Sequence, residues 1–83
     1  MPDRAFDLES LPLRQRATIG RIAWERLAPP EAQRLREFGF DEGAAVEVLH
    51  RGRLGGGPIA CQIGRMTVAI RRNVARSIAV RQA

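Results

Sequence analysis

The sequence predicts a mainly β domain, a small barrel of about five short strands with one α-helix inserted after the first and a short helical turn before the last. Three observations carry this. Apolar residues recur at every second position in Ala17/Ile19, Val46/Val48, Ile59/Cys61/Ile63 and Met66/Val68/Ile70, the period of strands with one buried face. Between the first two of these runs the spacing changes to three and four, at Ala32, Leu35 and Arg36, the period of a helix. The junction Leu35-Arg36-Glu37-Phe38-Gly39-Phe40-Asp41-Glu42-Gly43 then sets two glycines four residues apart, one where a helix must stop and one where a turn must return the chain to a sheet.

A chain of 83 residues has room for one domain and one core. Such a core leaves little surplus for an internal active-site cavity, so function is expected on the outer surface. The first seven residues are read as a flexible N-terminus and 8–83 as the folded domain, with Phe6, Leu8, Leu11 and Leu13 spaced to touch the barrel through a short turn. From Ala17 the chain alternates, placing Ala17, Ile19 and Arg21 on one side and Thr18, Gly20, Ile22 and Trp24 on the other. Gly20 marks a bend of the kind that lets a small barrel close. Pro29-Pro30-Glu31 opens the helix, because proline is tolerated where amide hydrogens have no partner and a carboxylate there meets the positive end of the dipole. The helix runs to about Phe38, with Leu35 and Phe38 as its anchors on the sheet.

Val46 and Val48 begin the next strand, which meets Arg51-Gly52-Arg53-Leu54-Gly55-Gly56-Gly57-Pro58, a loop because three glycines and a proline cannot hold a strand interior. Gly64-Arg65 turns the chain between the following two strands. Asn73-Val74-Ala75-Arg76 makes about one helical turn, and Ile78-Ala79-Val80 closes the sheet. Five strands in this order, with the helix and the helical turn so placed, describe an SH3-like barrel.

Charge and composition narrow the function classes. The net charge of +5 comes from fourteen arginines and no lysine, spread from Arg4 to Arg81 with Arg71-Arg72 the only adjacent pair. That is no dense basic track, and with no tyrosine and four aromatic residues there is no stacking platform for single-stranded nucleic acid. One histidine, one cysteine and no clustered carboxylate pair leave no acid–base or nucleophile constellation, so no enzymatic activity is expected. The N-terminus lacks the apolar run of a signal peptide, and no stretch approaches the roughly 20 residues of a membrane span, so the expected location is the cytosol.

Candidate sites are few. His50 and Cys61 are the soft metal ligands apart from the methionines, and pairing Val48 with Ile63 would set them opposite each other on one face. Two ligands are too few for a structural zinc site, and the competing reading makes Cys61 a buried small hydrophobe with His50 at a strand end. No cofactor is therefore expected, with weak binding of ferrous iron or another transition metal as the alternative. Arg71 and Arg72 are candidates for an acidic partner surface, or else a solvated strand end. Phe40, Leu54 and Pro58 are apolar residues in turns, where they either cap an open barrel end or form the contact surface of an adaptor.

The pattern Leu35…Phe38-Gly39-Phe40…Gly43-x-x-Val46-x-Val48, then Leu54-Gly55-Gly56-Gly57-Pro58-Ile59, then Val68-Ala69-Ile70-Arg71…Ala75…Ile78-x-Val80 resembles the FeoA-like family of ferrous iron transport, over about residues 8–81. The resemblance implies an SH3-type barrel and a small cytosolic accessory of FeoB, a membrane ferrous iron transporter with a GTP-binding domain. It also implies protein–protein contact with that transporter, recruitment to the inner face of the membrane, and a monomer or weak homo-oligomer. Similar domains form the C-terminal part of metal-dependent repressors, so a transition-metal-linked regulatory module is one alternative. A small basic barrel that binds nucleic acid is the other. Glu42 stands where the family often has proline, Gly57 where it often has aspartate, and Arg14-Gln15 where a glycine is common ahead of the first strand.

Overall fold

The computed structural model describes residues 5–52 and 57–82. The alternating runs form six strands, β1 (Ala5–Asp7), β2 (Arg16–Ile22), β3 (Ala45–Arg51), β4 (Ile59–Ile63), β5 (Met66–Ile70) and β6 (Ile78–Gln82). Two helices interrupt them, α1 (Pro29–Phe38) and the single turn α2 (Arg72–Ala75), together with 3-10 turns at Leu8–Ser10 and Trp24–Arg26. All strand pairs are antiparallel, in the order β1-β6-β2-β3-β4-β5. This corrects the expected closed barrel of about five strands. Among the described residues β1 and β5 are the free edges of one six-stranded sheet.

The sixth strand is the N-terminal one. Residues 5–7, expected within a flexible N-terminus, pair with Ala79–Arg81 of β6. The Asp7 carboxylate accepts from the Ser10 N–H at 2.9 Å and turns the chain inward. Leu8 and Leu11 are then fully buried, whereas Leu13 is exposed.

Two bulges set which residues face the core. In the β2–β6 pair Ile19 faces Val80 and Arg21 faces Ala79, so Gly20 is the extra residue. One extra residue reverses the inward-outward alternation, so Ile22 joins Ala17 and Ile19 in the core and Arg21 points outward. The bend expected at Gly20 is this bulge, but the faces beyond it are the opposite of those that simple alternation assigns. The same device recurs in β3. Val48 faces Cys61 and His50 faces Ala60, leaving Leu49 as the extra residue. Beyond it Arg51 sits opposite the buried Ile59.

Arg51 consequently reaches across the sheet end to the N-terminal turn. Its Nε donates to the Glu9 carbonyl at 2.8 Å, and its terminal nitrogen donates to the carbonyls of Leu8 and Leu11. These carbonyls belong to the 3-10 turn at Leu8–Ser10 and to the residue that caps it. One guanidinium satisfies all three.

Helix α1 forms where its signals place it. The Glu31 carboxylate accepts from the Ala28 N–H at 3.4 Å, one half of a capping box, since alanine has no acceptor for the other half. At the far end Gly39 takes φ 91°, and the N–H groups of Gly39 and Phe40 donate to the carbonyls of Arg36 and Leu35. This is a Schellman turn, which places an apolar residue immediately after the glycine against the helix it terminates. Gly43, at φ 92°, then donates its N–H to the Ile19 carbonyl and starts β3 beside β2.

Arg14 also has a positive φ, 63°, with its N–H donating to the Val48 carbonyl at 2.8 Å. A left-handed conformation costs a residue with a Cβ about 1 kcal/mol or more. Arg14→Gly is therefore expected to be neutral or to raise stability by up to about 1 kcal/mol, whereas Gly43→Ala, which meets no atom but the same backbone restriction, should lower it by about 1 kcal/mol. Urea unfolding of both variants checks the opposite signs. Arg51→Met should cost about 1–3 kcal/mol and release the amides of β1 to exchange with solvent, because it strands three carbonyls.

Candidate partner-docking site

The predicted site residues do not all arrive at one place. Phe40 is 1% exposed, held in the core as the residue following the Schellman glycine, so it is unavailable as a contact. Its position, two residues past the last helical one, is the sequence signal that marks it as a core residue. Leu54 lies outside the described residues. His50 is exposed and Cys61 is fully buried, because the two-residue shift in register and the bulge at Leu49 separate them. Burial also pushes the Cys61 thiol up to about 11, which keeps it protonated and unreactive near neutral pH. Among the described residues no three His, Cys, Asp or Glu side chains gather in a way that could hold a metal ion.

Arg71 and Arg72 are adjacent but play different parts. Arg71 precedes α2 in an extended conformation and is exposed. Arg72 begins α2, and its Nε donates to the Gly57 carbonyl at 3.2 Å while its terminal nitrogens reach Gly52 and the Glu9 carboxylate, the latter at 3.4 Å. It ties the strand β3–β4 loop to α2 and is a structural residue. Glu9 also takes Arg76, with an Nε to carboxylate distance of 2.9 Å. The bond from Arg76, opposed by desolvation and reinforced by Arg72, holds the Glu9 carboxyl below its usual range.

Three of the predicted set, Pro58, Arg71 and Arg72, border a groove. Its inner part, about 250 Å³, runs between α1 and the end of β5 and is lined by Pro30, Glu31, Arg34, Leu35, Ala69, Ile70, Arg71 and Val74. A second hollow continues it past Pro58, Arg72 and Asn73, sharing Arg34, Ala69 and Arg71 with the first. The floor is apolar because Leu35, Ile70 and Val74 belong to the core. The rim is basic, with Arg34 and Arg71 exposed on opposite sides. Arg34 escapes sequence reading because a single arginine on a helix signals nothing alone. The available signal is that Pro30/Arg34 and Glu31/Leu35 are each four apart and so share one face of α1.

No helix of the described residues is long and apolar enough to cross a membrane. The FeoA domain family model matches residues 6–82. FeoA of Stenotrophomonas maltophilia, a zinc complex described as a prokaryotic SH3 domain protein and a candidate ferrous iron transport activating factor, is 32% identical over 90% of this chain and 88% of its own, with a TM-score of 0.73. FeoA of Chlorobium tepidum is 31% identical over 93% of this chain and 70% of its own, with a TM-score of 0.80. IdeR of T. acidophilum has a TM-score of 0.79 but only 18% identity, covering all of this chain and 36% of its own, a likeness of fold alone. Comparison with curated proteins at the sequence level gives no match.

The Glu9 cluster yields a pH test. A carboxyl held below its ordinary value of 4.5 contributes stability that is present above that value and lost as pH falls through the lowered one. Glu9→Gln should therefore destabilise at pH 6–8, and the gap to the parent protein should close as both are titrated below about pH 4. A gap that persists at low pH would mean that Glu9 acts through packing and not through its charge. For Cys61, a thiol reagent at pH 8 should label the protein only once denaturant unfolds it.

Proposed function

Because this chain belongs to the FeoA family, we propose that it is a small non-enzymatic accessory of ferrous iron transport that binds the cytosolic region of a FeoB-type transporter and biases its working states. The observation that carries this reading is the family match across residues 6–82, reinforced by two FeoA proteins above 30% identity. The architecture supports it physically. The groove at the α1–β5–α2 side combines an apolar floor with exposed charge, and α1, β5 and α2 supply most of its inner wall. Ferrous iron enters this reading as the transporter's cargo, since His50 and Cys61 lie on different sides of β3 and β4 and share no coordination space.

Such a protein acts by differential binding. It shifts the transporter toward whichever state it prefers, and only by the ratio of its two affinities. Its place is then the cytosolic face of the membrane, reached through the partner.

Titration of the transporter's purified cytosolic GTP-binding region with the full chain, with and without a GTP analogue, should give saturable binding near 10 μM, about 7 kcal/mol. A Leu54→Asp/Pro58→Asp variant should bind less tightly while unfolding at the same denaturant concentration. Saturable binding with a nucleotide-dependent affinity supports the reading. No binding at 100 μM in either nucleotide state contradicts it.

A further inference from the structure

Two features of the groove together specify more than a generic contact. The first is charge. The ion pairs among the described residues are Arg21–Glu25, Arg72–Glu9 and Arg76–Glu9, and Arg36 lies over the Trp24 ring at 4.3 Å. Arg34 and Arg71 take part in none of these, although both line both parts of the groove. The acidic residue beside them, Glu31, turns its carboxylate to the Ala28 N–H. The inner groove therefore presents two guanidinium groups that no ion pair engages against one carboxylate turned to the main chain, a net positive rim above an apolar floor that favours carboxylates carried on a chain with some apolar surface.

The second feature is the strand that forms one wall. Among the described residues β5 pairs with β4 alone. A two-residue turn at Gly64-Arg65 makes Ile63 and Met66 a hydrogen-bonded pair, and the alternation that follows leaves the N–H and C=O groups of Thr67 and Ala69 directed away from β4. Ala69 is exposed and lines both parts of the groove. A free edge of this kind pairs with an extended chain, and the two-residue period of that chain places alternate side chains on the same side.

We propose that the groove between α1, β5 and α2 receives an extended acidic peptide segment of the partner protein, which runs along the outer edge of β5 and sets carboxylate side chains against Arg34 and Arg71. The inference rests on the transporter reading only for where that segment comes from. The main-chain groups of Thr67 and Ala69 hold the segment, the guanidinium groups select acidic side chains, and the exposed Pro30 and Ala69, above the buried Leu35, Ile70 and Val74, accept an apolar residue between them.

The test is a titration of isotopically labelled full-length protein with synthetic 12-residue peptides tiled across the transporter's cytosolic sequence, read by amide shifts. A peptide with at least two carboxylates should shift the amides of residues 67–71 and 30–34. Its affinity should fall about tenfold, the equivalent of about 1.4 kcal/mol, in Arg34→Gln/Arg71→Gln and stay unchanged in Arg65→Gln, an exposed arginine at the far end of β5. The same peptide with Gln for Glu and Asn for Asp should bind about as weakly as the double variant allows.

If the intact cytosolic region binds but no acidic peptide moves the groove, the peptide assignment is wrong and the transporter reading stands. Acidic peptides that fill the groove while the intact region fails to bind leave the assignment standing and remove the transporter as its source. Equal shifts from a single-stranded oligonucleotide, with loss of both by raised salt, would overturn the assignment in favour of a phosphate backbone.

Discussion

The left-handed residue at position 39 is the constraint on which the rest of the arrangement depends. Gly39 ends α1 with two of its four free carbonyls, those of Leu35 and Arg36, bonded, and the same turn delivers Phe40 into the core. Four residues later Gly43 attaches the chain to Ile19 and starts β3 alongside β2. The order of strands that follows, β3, β4, β5, leaves β5 as an edge, and α2 then carries the chain back to β6 in the middle of the sheet. A helix that ended one residue later would carry the wrong residue into the core and move α1 relative to β5. The groove is thus a by-product of how one helix stops.

Much of this was legible in the sequence because it is local. Proline at the start of α1 and glycine at its end act within a few residues, and strands β3 to β5 and α2 announce themselves through two-residue spacing and its interruption. What was not legible depends on pairing between distant segments. The strand at Ala5–Asp7 has no alternation long enough to detect and exists only because β6 offers it an edge. The bulges at Gly20 and Leu49 reverse the face of everything beyond them, so Ile22 and Arg51 turn inward and His50 turns outward. Of the candidate site, Pro58 and Arg71 lie beside the groove and Phe40 is buried in the core, whereas Arg34 escaped reading because its neighbours in the groove come from a strand more than thirty residues away.

The arginines divide into classes that composition alone merges. Arg51 spends its donors on the carbonyls of the N-terminal turn, and Arg72 and Arg76 share one carboxylate at Glu9. Burial, with the nearby Arg72 charge, lowers the Arg51 guanidinium's affinity for its proton, yet it stays charged at any physiological pH. These three hold the N-terminal turn, the β3–β4 loop and α2 to one another. Arg34 and Arg71 hold nothing together among the described residues, and what separates them from the other unpaired arginines is that both line the groove.

Hydrogen exchange of the full chain, alone and saturated with the transporter's cytosolic region, tests the central claim most directly, that this fold serves as a docking module through one face. The account predicts slowed exchange confined to residues 30–36 and 67–74, with β1 and the β2–β6 pair unchanged. Protection centred on β1 and β6 would contradict it, because the partner would then be using the opposite edge of the sheet.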